Sequence, residues 1–543
     1  MMSAIVYQKC KETGIVYAYE SISYWDKEKK QSRAKRKLLG QVDPTTKEIT
    51  PTRKRGTGGD SKTKDGTGSD SLAFPFSASR HFYGATYLFD AIGEKLGITE
   101  DLKKCFPDSY QQLLSTAYYL ILEDKNALSR FPKWSALHRH PFGKNIPSQR
   151  SSELFSSITE EAREYFFRLQ GKRRIEQEYW AYDTTSISSY SQGLSQLRYG
   201  LNKEGDRLPQ INLALLFGES SNLPFYYRKL AGNISDVKTV QHLLADMNFL
   251  GYSKVKLVMD RGFYSEANIS DLCCHHLKFL IAGKVSLKLV KTELDQVRES
   301  LRSWNHYYPV YDLYACTRSI TWNYKQERPC NREPLPVERR MYLHLYLNSE
   351  KALEDEKSLN ELLCRLQTEL TSGKRNPDHE KQYEKYFTVK TTTKKGITTT
   401  KVAAKQEAMD EAKKNYGYFA LLSNDIKDPI LALEIYRNKD LVEKAFGNLK
   451  ERLNFRRPGV SSDQSLDGKL FVEFIALIYL SYLKKKMQDK KLFQQFTMLE
   501  VLDELDIIEC FEQTGKKLRV GEVTKKQREL YEAMDIAPPT SLH

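Results

Sequence analysis

Five short apolar segments between residues 179 and 282 constrain the fold more than any other feature of the sequence. Their lengths and their β-branched and aromatic content are typical of strands. They span Tyr179–Ser188, Gln210–Phe217, Pro224–Leu230, Lys254–Asp260 and Lys278–Ala282. A helical pattern, Val237–Met247, separates the third and fourth segments, and the segment SEANISDLCCHH separates the fourth and fifth. Three strands followed by alternating helix and strand predict a mixed α/β sheet.

The flanking sequence divides into regions by period and composition. Residues 1–48 alternate and predict a small β-hairpin unit, 49–73 are a flexible basic linker, and 74–173 are helical. The sheet core occupies 174–284 and 416–490, with a β-rich insertion at 285–415 and a helical tail at 491–543. We interpret the helical region 74–173 as a DNA-binding domain, although a plain packing module would have the same pattern.

The net charge and the cysteines indicate which partners and which cellular compartment the protein has. The net charge of +15 favours an anionic partner, most simply nucleic acid. The eight cysteines are scattered without a CxxC pair, which is typical of a reducing cytoplasm. The most apolar run, Leu470–Leu483, contains Glu473 and has the length of a buried core helix. We therefore predict a cytoplasmic protein that has no membrane partner.

Two aspartates occupy the first and fourth predicted strands. Asp183 and Ala181 share one face of the first strand, and Asp260 ends the apolar strand VKLVMD. A carboxylate at such a position is costly unless something pairs with it. For either aspartate alone, a turn, a helix cap or a salt bridge is the simpler interpretation.

A third carboxylate lies on a predicted helix, Leu431–Pro458. One stripe of this helix is apolar and predicts a core-facing side. The adjacent stripe consists of Tyr436, Lys439, Glu443 and Lys450. Taken alone, this stripe is an ordinary solvated face beside a core face.

The three carboxylates together suggest metal chemistry. If the first and fourth strands are neighbours, Asp183, Asp260 and Glu443 can converge, and they would repel one another without a divalent cation. Oxygen-only ligands suit Mg²⁺ or Mn²⁺, and two such ions roughly 3.5–4 Å apart can promote in-line phosphoryl displacement by water or a 3′-hydroxyl. The adjacent residues 273–276, CCHH, cannot all point at one tetrahedral ion and do not indicate zinc.

Three motifs resemble those of a known family. YDTTSI around Asp183, VMDRGFYSEANI around Asp260, and the Tyr436–Lys450 stripe resemble the motifs of DDE transposases from bacterial or archaeal insertion sequences. The similar branch is the IS-four-like one with a Tyr-x2-Arg-x3-Glu-x6-Lys signature, and GNISDVKTV and the β-rich insertion also resemble it. Lys439 replaces the signature's arginine and lacks its bidentate fork.

The resemblance implies an RNase H-like mixed-sheet core, interrupted by the β-rich insertion and preceded by the helical domain. It implies that Asp183, Asp260 and Glu443 are catalytic and bind two Mg²⁺ or Mn²⁺ ions. The implied contacts to the DNA backbone are Tyr436, Lys439, Lys450 and Arg261. In relatives the insertion can supply an aromatic wedge, for which the candidates are Trp304, Tyr307, Tyr308 and Trp322.

The implied function is a DNA transposase that cleaves transposon ends and transfers their strands into target DNA. Its partners would be double-stranded DNA, as terminal inverted repeats and target, and a second copy of the chain in a synaptic complex. Two alternatives stay open: another RNase H-like nuclease or resolvase, and a non-catalytic DNA-binding regulator derived from a transposase. A nuclease or resolvase would cleave DNA without joining strands, unlike a transposase. A non-catalytic regulator would not bind the metal ions.

Overall fold

The chain divides into two units, Met1–Pro75 and Phe76–His543, in a computed structural model. The residues that the structure describes are 3–9, 16–26, 31–42, 49–50, 78–123, 127–173, 178–191, 193–203, 205–252, 255–327, 334–394, 397–453, 459–460, 462–513 and 515–540. The predicted linker 49–73 lies outside these ranges except for Ile49 and Thr50.

The first unit is a four-stranded antiparallel sheet with its strands in sequence order. Its strands are β1 (Ser3–Lys9), β2 (Val16–Asp26), β3 (Gln31–Val42) and β4 (Ile49–Thr50). The basic run of the sequence, SRAKRK, lies within β3. The structure thus extends the predicted hairpin by two strands.

The second unit contains a nine-stranded mixed sheet. The strands of the second unit that precede the insertion are β5 (Ala78–Phe82), β6 (Tyr179–Ser188), β7 (Gln210–Gly218), β8 (Pro224–Ala231), β9 (Lys256–Met259) and β10 (Lys278–Gly283). The later ones are β11 (Tyr307–Tyr308), β12 (Leu313–Glu327), β13 (Pro334–Leu347), β14 (Phe387–Lys394), β15 (Ile397–Ala404), β16 (Tyr418–Ser423), β17 (Glu509–Gln513) and β18 (Arg519–Val520). The order in the large sheet is β11-β12-β13-β16-β10-β9-β6-β7-β8.

Helices flank this sheet and form the region that precedes it. The first nine are α1 (Gly84–Lys95), α2 (Ile98–Cys105), α3 (Tyr110–Leu122), α4 (Phe131–Leu137), α5 (Ser148–Ser156), α6 (Glu160–Lys172), α7 (Asp236–Leu250), α8 (Glu266–Cys274) and α9 (Lys288–Leu301). The others are α10 (Ser349–Ser372), α11 (Glu380–Tyr386), α12 (Gln406–Lys413), α13 (Pro429–Asn438), α14 (Asp440–Gly447), α15 (Asp463–Asp489), α16 (Met498–Asp506) and α17 (Lys525–Ala533).

The five predicted core strands form one half of the large sheet. β6, β7 and β8 are antiparallel neighbours, while β9 and β10 run parallel to β6. The first and fourth of these strands, β6 and β9, are paired. The predicted mixed α/β fold class is confirmed, and so is the adjacency on which the convergence of the aspartates depended.

The other half of the sheet combines β11, β12 and β13 from the predicted insertion, 285–415, with β16 from the predicted second part of the core, 416–490. β12 and β13 pair along their whole lengths, and β13 continues the sheet through β16. Strand β12 is continuous from Leu313 to Glu327. Pairing with β13 holds its polar middle in the sheet. Helices α10 to α12 and the β14–β15 hairpin pack around a small core of their own that includes Leu366, Tyr383 and Met409.

The predicted helix Leu431–Pro458 is not continuous. It consists of α13, a tight turn at Lys439, α14 and a π-helical turn, Asn448–Arg452. The Lys439 N–H donates to the Tyr436 carbonyl at 3.1 Å, three residues back instead of four. The wider π turn shifts Lys450 out of phase with Tyr436 and Glu443. Residues 454–458 lie outside the described ranges.

Helix α15 is the buried spine that joins the helical region to the sheet. Residues Leu470–Leu483 are all buried, and the helix packs against α3, α5 and β8. Beyond it, β17 pairs with β5, so the tail and the helical region share a three-stranded sheet. Among the described residues, no helix is both long and apolar enough to cross a membrane.

A glycine sets the distance between α15 and α5. A Cβ at Gly468 would lie 2.1 Å from the carbonyl oxygen of Phe155, and a backbone atom cannot move aside as a side chain can. We expect Gly468→Ala to lower the free energy of unfolding by about 2–3 kcal/mol, measured by urea denaturation. Gly447→Ala is the matched control, because its Cβ meets no atom within 4 Å and should raise that free energy by up to ~1 kcal/mol. Equal effects of the two changes would contradict this account of the contact.

Candidate active site

The ends of two parallel strands bring two aspartates together. Tyr182 on β6 is in register with Met259 on β9, so Asp183 and Asp260 are the next residues on neighbouring strands. At strand spacing their Cα atoms lie roughly 5 Å apart. Asp183 still belongs to β6 and pairs with Leu215, whereas Asp260 caps a short 3₁₀ turn, Arg261–Phe263. The two carboxylates therefore occupy the same edge of the sheet.

Asp183 is a buried carboxylate. The Thr184 backbone N–H donates to its Oδ1 at 2.8 Å, and the Lys203 Nζ lies 3.9 Å from the same atom. Burial raises the pKa of Asp183 to about 6, against the opposing effects of Lys203, the Thr184 N–H and Lys439. Asp260 raises that pKa further because its charge is of the same sign. The local environment therefore leaves the ionised form of Asp183 incompletely compensated.

Asp260 is better compensated. Its Oδ1 accepts hydrogen bonds from the Tyr436 hydroxyl at 2.7 Å and from the Arg261 backbone N–H at 2.8 Å. Burial acts to raise the pKa of Asp260, but the Tyr436 bond, Lys439 and the Arg261 N–H together hold it below its usual range. Burial and the bond to Asp260 raise the pKa of Tyr436 well above the ordinary tyrosine value, so this phenol stays a donor.

Lys439 links Asp260 to the third predicted carboxylate. Its Nζ lies 3.9 Å from Asp260 Oδ2 and 3.5 Å from Glu443 Oε1. The Lys439 side chain is only 4% exposed, whereas that of Glu443 is 61% exposed. α14, which carries Glu443, packs against β6 and β7. In the described part of the chain, no three or more acidic, histidine or cysteine side chains are grouped closely enough to hold a metal ion.

The predicted cationic contacts to DNA are Arg261, Lys439 and Lys450. Arg261 is exposed and lines a cavity of about 620 Å³ together with Asp260, Tyr436 and Lys284. Lys450 is half-buried in the π-helical turn. Lys439 is buried between two carboxylates, whereas a residue that contacts DNA phosphates directly would be exposed. The structure thus gives these three cations different surroundings.

The four wedge candidates differ in exposure. Trp304 is 78% exposed and contacts the ring of Tyr307 at a centroid distance of 5.6 Å. Trp322 is half-buried and donates its Nε1–H to Ser270 Oγ at 3.3 Å, and Tyr308 is half-buried against an apolar cluster. Trp304 is therefore the most accessible of the four.

Two residues close to Asp183 and Thr184, namely Lys203 and Asp236, were not predicted from the sequence. The Lys203 Nζ donates to the Thr184 carbonyl at 2.7 Å and lies 3.4 Å from Asp236 Oδ2. Asp236 lies within GNISDVKTV, which resembles a family motif, and that signal could have identified it. Lys203 lies in the irregular loop between β6 and β7, and only the fold brings it to the site.

The sequence matches a family model, and the chain has a distant likeness to a solved structure. The family model described as "Transposase DDE domain" matches residues 179–479, from the start of β6 into α15. No curated protein sequence matches the chain. The structural likeness is to a piggyBac transposase synaptic complex with hairpin DNA, at 10% identity and a TM-score of 0.35, over 77% of this chain and 70% of that chain. That likeness is too weak to support an argument. The family match covers more than half of the chain, and on that ground the chain belongs to the DDE-domain transposases.

Proposed function

We propose that this DNA transposase cleaves DNA at transposon ends and joins the ends to target DNA at a site built on Asp183 and Asp260. One observation carries the proposal: the two aspartates follow paired residues of neighbouring parallel strands, within the segment that matches the family. The ammonium of Lys439 forms ion pairs with both Asp260 and Glu443 and so links Glu443 to the aspartates. This arrangement supports the assignment of all three residues, Asp183, Asp260 and Glu443, to one catalytic site.

The donor chemistry at this edge suits a divalent cation. Both aspartates offer only oxygen, and the buried carboxylate of Asp183 lacks full compensation by the protein. DDE transposases generally use divalent metal ions. We propose that Asp183 and Asp260 hold Mg²⁺ or Mn²⁺, in a site for two ions, and that Glu443 joins them after leaving Lys439. Such ions supply charge stabilisation to the attacking and leaving oxygens of phosphoryl transfer.

The remaining residues position these carboxylates and the DNA. The Tyr436 hydroxyl fixes the orientation of Asp260 by its hydrogen bond, as partners of metal-binding carboxylates usually do. We propose that Arg261 and Lys450 contact the DNA backbone, and that Lys439 joins them when the carboxylates release its ammonium. Cations beside the phosphates supply affinity that does not depend on sequence. Two copies of the chain would bring two transposon ends together.

The test uses the purified full chain and DNA ending in the inverted repeats that flank its gene. We expect cleavage at the repeat and then joining of the cleaved strand to a second duplex, both only when Mg²⁺ or Mn²⁺ is present. The controls are a reaction with chelator and a duplex with scrambled ends. Cleavage without joining under either metal would favour a nuclease or resolvase, and binding without cleavage would favour a regulator.

A further inference from the structure

The loop between β6 and β7 places a lysine at the open edge of β6. β6 pairs with β9 only as far as Tyr182, so the next residues of β6 have lost that neighbour. The ammonium of Lys203 occupies this edge and donates to the carbonyl oxygen of Thr184 at 2.7 Å and to its Oγ1 at 2.9 Å. The Thr184 carbonyl has no partner on β9, because β9 ends before it. The Lys203 side chain supplies the missing hydrogen bond.

Asp236 holds the same lysine from the other side. It is the first residue of α7, and its Oδ2 lies 3.4 Å from the Lys203 Nζ. Its Oδ1 accepts a hydrogen bond from Thr184 Oγ1 at 2.5 Å. Thr184 and Asp236 therefore fix the position of Lys203 without help from the proposed metal ligands.

The result is a fixed positive charge beside Asp183. The Lys203 Nζ is 3.9 Å from Asp183 Oδ1, which is too long for a hydrogen bond and short enough for an ion pair. Because Asp183 is buried, solvent screens this interaction only in part. The ammonium of Lys203 would repel a divalent cation bound by Asp183.

We propose that Lys203, held by Thr184 and Asp236, is a positioning residue that partly offsets the charge of Asp183 in the DNA-free protein and lowers the affinity of the site for divalent cations. This inference rests on the proposed function, in which Asp183 binds a cation. A DNA phosphate at the site offsets the charge of Lys203. The cation and DNA therefore favour each other's binding, and by linkage each raises the affinity of the other by the same factor.

A purely structural role for Lys203 gives a different expectation. The side chain also pins its loop to β6, so its loss would lower the stability of the protein in either case. A tether alone would leave the affinity for a cation unchanged. Cation affinity, measured apart from stability and activity, therefore separates the two roles.

The experiment measures Mn²⁺ binding to the full-length protein by electron paramagnetic resonance, with and without cognate DNA. We expect Lys203→Met to bind Mn²⁺ about tenfold more tightly than the wild type without DNA, because the repulsive charge is gone. Lys203→Arg keeps the charge and should bind Mn²⁺ like the wild type. The gain in affinity on adding DNA should be smaller in the methionine variant than in the wild type.

An unchanged or weaker Mn²⁺ affinity in a Lys203→Met protein that is folded at the temperature of the binding measurement would overturn the inference. If that variant does not fold, Lys203→Gln is measured in its place by the same criteria. Asp183→Asn separates this inference from the proposed function. If that change leaves Mn²⁺ binding intact, the proposed metal site is wrong. If it abolishes binding while Lys203→Met changes nothing, only the role of Lys203 is wrong.

Discussion

Asp183→Asn is expected to lower the rate of cleavage at the transposon end by about 10³-fold or more. The change removes one charge from the proposed cation site, and losing an electrostatic contact to the transition state of ~4 kcal/mol has an effect of that size. The measurement is the single-turnover rate on a labelled end in Mg²⁺. The strand-transfer product should disappear in parallel, since both steps are proposed to take place at this site.

The matched control for this change is Asp410→Asn. Asp410 is exposed on α12, and its side chain accepts a hydrogen bond from Gln406 within the same helix. We expect this variant to cleave like the wild type. Both variants should retain affinity for the transposon end, measured by fluorescence anisotropy with chelator present. Cleavage by Asp183→Asn within tenfold of the wild-type rate would contradict the assignment of Asp183.

Stability is expected to fall between about pH 5 and pH 8 because of Glu473. This side chain is fully buried in α15; among the described residues its oxygens have no hydrogen-bond partner, and the nearest cation, Lys469 Nζ, is 3.8 Å away. Burial raises the pKa of Glu473 from 4.5 to about 8, against the opposing effect of Lys469. Between these values the folded chain keeps the proton and the unfolded chain loses it, so stability is lost as the pH rises. The loss is completed as the pH passes the raised pKa of the folded chain.

Glu473→Gln removes this titration while keeping the shape of the side chain. The free energy of unfolding is measured in urea at pH 5 and pH 8.5 for the wild type and the variant, so that other titrating groups cancel in the difference. We expect the variant to gain several kcal/mol relative to the wild type at the higher pH. Glu361→Gln, at an exposed position of α10, should show no such gain. Parallel pH profiles for the wild type and Glu473→Gln would show that the carboxyl does not carry the effect.

The parts of the fold that could be predicted are those decided by local pattern. The five core strands are short apolar segments bounded by polar ones, and the structure places them within two residues of the predicted bounds. These patterns do not fix the order of the strands in the sheet. The adjacency of Asp183 and Asp260 was expected from the RNase H-like fold that the motif resemblance implies, and the pairing of β6 with β9 confirms it.

The parts that could not be predicted depend on distant partners. The turn at Lys439 has no proline or glycine to mark it, and it coincides with an ammonium buried between Asp260 and Glu443. The continuity of β12 through its polar middle comes from pairing with β13. Lys203 stands in a loop without periodicity, and its contacts with Thr184 and Asp236 arise only in the tertiary fold.

The pairing of β5 with β17 imposes an order on biosynthesis. Arg80 and Glu509, which form an ion pair across these strands, are 429 residues apart in the chain. Ribosomes deliver the amino-terminal partner first, so the early helical region has to wait for its final partners until nearly the whole chain has emerged. During that interval its apolar faces are open to chaperones and to aggregation. Translation of a message truncated near its 3′ end would therefore destabilise the first helical region as well as remove part of the tail.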